Sequence, residues 1–168
     1  AQWMQAMPDA VEAYRGRALL LFEQGAYAEA LDDYNHILRL TPKDAEAYSN
    51  RSALQIMLDK PALALIDINR AIQLQPDAAA YRHRANIQLM LDKPKEALAD
   101  AQEAVKLETR TPESYRVRGE AYYALGDYGR ALKDIRHYEA LGGERHAIAD
   151  IRNKLMRRLR AQVSAEEA

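Results

Sequence analysis

The sequence predicts an all-α chain built from repeated helical hairpins, and three observations predict it. Tyr14, Tyr48, Tyr81 and Tyr115 recur at separations of 34, 33 and 34 residues. Other columns keep step with them. A small residue stands four positions on (Ala18, Ser52, Ala85, Gly119), and an Ala-Leu pair begins sixteen positions on (Ala30-Leu31, Ala64-Leu65, Ala97-Leu98, Ala131-Leu132). Within a unit, apolar residues then run at helical spacing in two stretches, residues 14–22 and 27–40 in the first. The phrase Met57-Leu58-Asp59-Lys60-Pro61 even recurs unchanged as Met90-Leu91-Asp92-Lys93-Pro94.

Each element follows from the columns. The units span 11–44, 45–77, 78–111 and 112–143, after an N-terminal arm of residues 1–10, and the third is one residue short at its start. Gln24-Gly25 and Gly126-Asp127 supply the turn inside the first and fourth units. In the middle units Asp59 and Asp92 are expected to cap the second helix, with Pro61 and Pro94 in its first turn, where a missing N–H costs little. Pro42 and Pro76 close the first two units, and Thr109 and Gly143 hold that place in the others. The facing small residues have a packing purpose: they let two helices approach closely, with the column tyrosine covering the joint.

Beyond Gly142-Gly143, residues 144–160 read as a further helix with Ile148, Ile151, Leu155 and Leu159 on one stripe. Arg145, Arg152, Lys154, Arg157, Arg158 and Arg160 occupy the rest. The last hydrophobic edge of a repeat array needs such a cover, so residues 144–168 are expected to be a capping helix and a frayed tail from Ser164. At the other end Asp9 is expected to cap the first helix, and the arm carrying Trp3, Met4 and Met7 to cover the first hairpin, the alternatives being that it extends an earlier repeat or docks on a neighbouring molecule.

Two more columns bear charge. Arg17, Arg51, Arg84 and Arg118 follow each tyrosine by three positions, and Asp33, Asp67, Asp100 and Asp134 follow it by nineteen. In a helical hairpin these places face each other, so each guanidinium is expected to fork onto the carboxylate of its own unit and hold the register of the pair.

Composition narrows the function. The 168 residues carry 24 Lys and Arg against 25 Asp and Glu, leaving no global field to draw nucleic acid or an acidic membrane. Cysteine is absent, which removes disulfides and sulfur-based zinc sites. No apolar run approaches the roughly 20 residues of a membrane span. The opening at Ala1 fits an internal start or a removed leader, so the reading is a soluble chain, cytoplasmic or exported and processed. Chemistry is not visible either. There is no glycine-rich phosphate loop and no paired-histidine metal motif, and Ser49, Ser52 and Ser114 have no histidine placed for a triad. His36 and His137 share one column on second helices and are expected to face solvent. Asp32 and Asp33 point different ways on their helix. No enzyme activity, cofactor or metal is expected.

Taken together, the aromatic column, the small residue four on, Gly25-Ala26-Tyr27 and Gly126-Asp127-Tyr128, the Ala-Leu pairs and the closing prolines resemble the tetratricopeptide repeat over residues 11–144. Proline replaces the second aromatic in the middle units. The resemblance implies a right-handed superhelical solenoid whose concave face is lined by the first helix of each hairpin. The residues it places there are Arg15, Leu19 and Phe22, then Ser49, Asn50, Ala53 and Met57. They continue with Arg82, His83, Asn86 and Met90, and finally Arg116, Glu120 and Tyr123.

Arginine forks, amides and adaptable methionines in that row suit a peptide segment with acidic groups. His83, the one histidine towards the groove, is a candidate pH reporter. One branch of the family grips a chaperone's C-terminal carboxylates. Tyr48-Ser49-Asn50-Arg51-Ser52 resembles its second repeat, and Arg15 could replace a basic donor, but Leu19, Ala79 and His83 stand where other donors belong. The expected function is therefore a non-catalytic protein-interaction module binding a peptide segment in the groove, with acidic preference. The alternatives are an assembly scaffold using its ends or convex face, or docking through the basic last helix.

Overall fold

The structure is a computed structural model that describes residues 7–166, with side chains from 10 to 161. Nine α-helices occur among the described residues: α1 (Met7–Glu23), α2 (Tyr27–Leu40), α3 (Ala45–Met57), α4 (Pro61–Leu74), α5 (Ala78–Met90), α6 (Pro94–Leu107), α7 (Pro112–Ala124), α8 (Tyr128–Ala140) and α9 (Ala149–Glu166). A 3-10 turn over Arg145–Ile148 leads into α9. The chain forms two compact units, one ending at Pro76 with α1 to α4 and the other starting at Asp77 with α5 to α9. In the first, α1 packs on α2, α2 on α3 and α3 on α4; in the second, α5 packs on α6, α6 on α7, α7 on α8 and α8 on α9.

The first helices all end in one way. Gly25, Asp59, Asp92 and Gly126 share a column and all adopt a left-handed backbone, with φ of 76°, 55°, 55° and 81°. The next N–H then returns to the carbonyl five residues back: Ala26 to Leu21, Lys60 to Gln55 and Lys93 to Gln88 at 2.8 Å, and Asp127 to Tyr122 at 2.9 Å. This corrects the role expected of Asp59 and Asp92. The cap positions of α4 and α6 are Lys60 and Lys93, neither with a side-chain capping bond. The aspartates instead take the left-handed position that reverses the chain, which short polar side chains tolerate best after glycine. Pro61 and Pro94 do open their helices.

True carboxylate caps lie elsewhere. Asp44 accepts from the Ala47 amide at 2.9 Å, Asp77 from Ala80 at 2.7 Å and Asp127 from Arg130 at 3.1 Å. Asp9 is not among them: α1 already begins at Met7, which puts Asp9 inside its first turn. Trp3 and Met4, expected to cover the first hairpin, lie outside the described residues. At the far end α9 continues through Ser164 and Ala165, where fraying was expected.

The small columns are the seams of the hairpins. Ala18, Ser52, Ala85 and Gly119 are buried against Ala30, Ala64, Ala97 and Ala131. The Ser52 hydroxyl donates to the Ala64 carbonyl at 2.9 Å, so its polarity is satisfied inside the seam. At Gly119 a Cβ would meet Ile135 Cδ1 at 3.3 Å and the Ala131 oxygen at 3.4 Å, so the fourth seam leaves little room for a side chain. Around these seams lie Tyr34, Ile37, Leu38 and Leu54 in the first unit. In the second, Tyr122, Ile135, Tyr138, Ile148 and Leu155 form the corresponding core.

The charged columns meet as expected. Arg51 places Nε and Nη2 at 2.7 and 2.6 Å from the two oxygens of Asp67. Arg84 does the same to Asp100 at 2.7 and 2.6 Å, and Arg118 to Asp134 at 2.7 and 2.8 Å. Arg17 forks onto Asp33, with Nε at 2.8 Å from Oδ2. Each guanidinium also lies over the column tyrosine three residues before it, 5.2 to 5.6 Å from the ring centre. The carboxylates are buried in all four units, whereas Arg17 is 62% exposed and its three counterparts only 21–22%. Hydrogen bonds to the carboxylate raise the pKa of Arg51, Arg84 and Arg118, outweighing burial.

Candidate functional site: the first-helix faces

In each unit the first helices turn one side to their second helices and leave the other side open. In the first unit α1 leaves Leu19 and Phe22 exposed, and α3 leaves Met57. Ser49, Asn50 and Ala53 lie beside them, half-buried. Phe22 is braced by a tilted contact with Tyr27, ring centres 5.5 Å apart.

The polar members of this face already have company. Arg15 Nη2 sits 2.7 Å from Asp44, its Nη1 3.6 Å from Glu46 and its Nε 3.7 Å from Glu12. Burial pulls the Arg15 pKa down, but the Asp44 hydrogen bond and the three carboxylate fields outweigh it and raise the value. Asn50 bonds the hydroxyl of Tyr34, whose burial pushes its pKa up. The same Asp44 that caps α3 thus neutralises Arg15.

In the second unit α5 brings Arg82, His83, Asn86 and Met90, and α7 brings Arg116, Glu120 and Tyr123. Met90 is exposed and the others are half-buried. Arg116 pairs with Glu120 one turn on at 2.5 Å, and Arg82 donates to Ser114 Oγ at 3.4 Å. Of the three arginines expected to recognise acidic groups, two are therefore occupied by carboxylates of their own unit. Helical spacing reveals the Arg116–Glu120 pair but not the other, because Asp44 lies 29 positions from Arg15.

Burial, and secondarily the charge of Arg82, hold the His83 pKa below the usual histidine value. The unfolded chain therefore takes up the proton first. The contribution is intact above about pH 6.5 and is lost as pH falls through the lower folded value. Melting temperature is expected to fall more for wild type than for His83→Gln between about pH 7.5 and about pH 5. Equal falls would refute the assignment.

His137 is exposed, as expected, and His36 is half-buried, yet both rings are stacked. His36 stacks on Tyr14 with centres 5.0 Å apart, and His137 on Tyr115 at 4.6 Å.

One part of the second unit's face comes from the last helix, which the sequence reading took chiefly as a cap and, in the alternative, as a basic docking helix. A cavity of about 390 Å³ lies between α5, α7 and α9, its apolar lining including Leu89, Tyr123, Ala124 and Ile151. Glu120, Asp150 and Lys154 also border it. Next to it a second cavity of about 460 Å³ is bordered by Tyr123, Lys154, Arg157, Arg158 and Ala161. Thus α9, with Leu155 buried beside Ile148 of the preceding 3-10 turn, acts as a cap and also extends the row of first helices. Its four-residue apolar stripe was the only legible signal, and it explained just the buried side.

Among the described residues, no group of His, Asp or Glu gathers as a metal site would require, and no helix is long and apolar enough to cross a membrane.

Hairpins that share seams, turns and an Arg–Asp lock, and present their first helices outward, define a helical repeat scaffold. A family model described as tetratricopeptide repeat matches residues 1–45 and 84–144, and the chain belongs to that family. Among curated relatives, the heat shock protein sti1 homolog of Schizosaccharomyces pombe is 33% identical over 70 residues, 42% of this chain and 12% of the relative. The chain therefore corresponds to a small part of that protein. Among solved structures, the MamA protein superposes with a TM-score of 0.75 at 18% identity, covering 96% of this chain and 94% of the other. The first tetratricopeptide domain of Spaghetti (RPAP3), bound to the HSP90 peptide SRMEEVD, gives 0.67 at 27% identity, covering 69% of this chain and 93% of that one.

Proposed function

We propose that the chain is a non-catalytic protein-interaction module that holds a peptide segment of a partner against its first-helix faces. The observation that carries this is the apolar exposure there: Leu19, Met57 and Met90 are 59%, 51% and 54% exposed. Each lies beside half-buried polar groups, Ser49 and Asn50 in one unit and Arg82 and Asn86 in the other. Apolar side chains next to fixed hydrogen-bonding groups suit an extended or helical segment, whose own side chains fill the gaps between methionines. The relationship to a domain that binds a chaperone peptide supports a peptide as the ligand class. Leu19, Ala79 and His83 remain poor substitutes for a carboxylate clamp, so the ligand is not assigned to a chaperone tail.

The test is a pull-down from native extract with wild type and with Met57→Asp/Met90→Asp. Both positions are more than half exposed, so the variant is expected to fold, as circular dichroism would verify. Loss of a partner on the double variant supports the reading; retention of every partner sinks it.

A second reading has its own observation. Leu63 and Ile66 stand out on the outer side of α4, at 48% and 64% exposure, where neighbouring units have charged residues or alanine. They are the surface on which an assembly scaffold would act. Under that reading Ile66→Asp, and not the methionine variant, removes the partner.

A further inference from the structure

Acidic preference needs cations that are not already neutralised, and at the α9 end of the second unit's face Arg157 and Arg158 meet that condition. Arg116 is held by Glu120, Arg152 by Glu139 at 3.3 Å and Lys154 by Asp150 at 2.6 Å. Among the described residues, no carboxylate pairs with Arg157 or Arg158, and both are exposed. They border the outer cavity together with Tyr123 and Lys154. The adjoining cavity is apolar at Leu89, Ala124 and Ile151 and edged by Glu120 and Asp150.

We propose that this end of the α5–α7–α9 face binds an acidic peptide: consecutive carboxylates on Arg157 and Arg158 beside Tyr123, with a neighbouring apolar side chain in the adjoining cavity. The proposal rests on the peptide reading above and adds to it the place and the chemistry of the charged subsite. Two free guanidinium groups on successive residues offer forked donors to successive carboxylates. The inner cavity offers no free cation, because its Lys154 is held by Asp150 and its Glu120 by Arg116, so the unpaired charge lies at the outer one.

The apolar lining of the inner cavity, at Leu89, Ala124 and Ile151, offers nothing to a phosphate chain and favours a peptide that carries an apolar side chain beside its carboxylates. A lipid surface needs a broad apolar face on α9, yet Leu155 is buried towards the rest of the unit and Met156 is the one large apolar side chain that α9 exposes among the described residues.

The test is a heteronuclear NMR titration of the isotope-labelled full chain with a synthetic peptide carrying one leucine beside a run of glutamates in a Gly/Ser background. A second peptide has glutamine in place of glutamate. The glutamate peptide is expected to move the amides of Tyr123 and of residues 154–158. The glutamine peptide should bind about tenfold more weakly, and so should the glutamate peptide to Arg157→Glu/Arg158→Glu. Shifts confined to α5 and α7, equal for both peptides, would overturn the α9 subsite and leave the peptide reading standing. No shift on any of the three helices would overturn both. Tighter binding at α9 by a single-stranded oligonucleotide or phosphatidylserine vesicles than by the glutamate peptide would overturn the proposal in favour of that partner.

Discussion

Arg51→Ala is expected to lower the unfolding free energy by about 3 kcal/mol, the low end of the cost of stripping one partner from a buried pair. The reason is the carboxylate left behind. Asp67 is buried, and its two oxygens receive Nε and Nη2 of Arg51 at 2.7 and 2.6 Å. Arg51 also donates from Nη1 to Asn35 of the preceding hairpin at 2.9 Å and lies over Tyr48, so three groups lose a neighbour together. Adding Asp67→Asn to the variant should recover part of the loss, because a neutral amide is cheaper to bury than an unpaired charge. Arg17→Ala should cost less than Arg51→Ala, since Arg17 is largely exposed and water already solvates it. Urea titration decides: a midpoint unchanged in Arg51→Ala would show that the repeated pair is ornamental. Ligand selectivity should not change, because Arg51 is spent on the hairpin.

Leu155→Ala is the second large effect, expected at about 3 kcal/mol, within the range for truncating a fully buried leucine. Leu155 is wholly buried among the residues that fasten α9 to the second unit, with Ile148 and the partly buried Ile151. The loss should be local as well as global: amide exchange should accelerate across α9 and the facing side of α8 before the other helices. Met156→Ala, one residue on and 42% exposed, is the control and should stay within about 0.5 kcal/mol. If Leu155→Ala leaves exchange in α8 and α9 unchanged, α9 is not a cap. The variant also loosens Lys154, Arg157 and Arg158 from Tyr123, so binding of acidic peptide should weaken with the cap.

How much of this was legible beforehand depended on whether one repeat could testify for another. The Tyr14, Ala18 and Ala30 columns identified the hairpins, and α2, α4, α6 and α8 have the bounds that Tyr27, Pro61, Pro94 and Tyr128 suggest. The Arg–Asp forks were legible for the same reason: four copies of one spacing leave little room for another geometry. The misreadings fell where a residue could serve two local purposes. Aspartate before Lys-Pro can cap the next helix or turn the chain through a left-handed conformation, and at Asp59 and Asp92 the need to close the preceding helix won. The stacking of His36 and His137 left no mark in the local sequence, because the column tyrosine that each ring meets lies across the hairpin.

The candidate site was legible only as a row of positions. Periodicity places Arg15, Arg82 and Arg116 on first helices, but it is silent on distant charges, and Asp44 and Ser114 come from the next hairpin. Nor could it show that the two sides of α9 have different duties. A hydrophobic stripe states that a helix is covered; it does not state what its other side faces. Family, hairpin repeat, seams and ion-pair register were therefore settled along the chain, because repetition turns local spacing into a statement about contacts. Which cations remain free, which histidines are stacked and which helix completes the open face were settled only in three dimensions. Charge pairing and cavity formation depend on distances between residues that no local pattern connects.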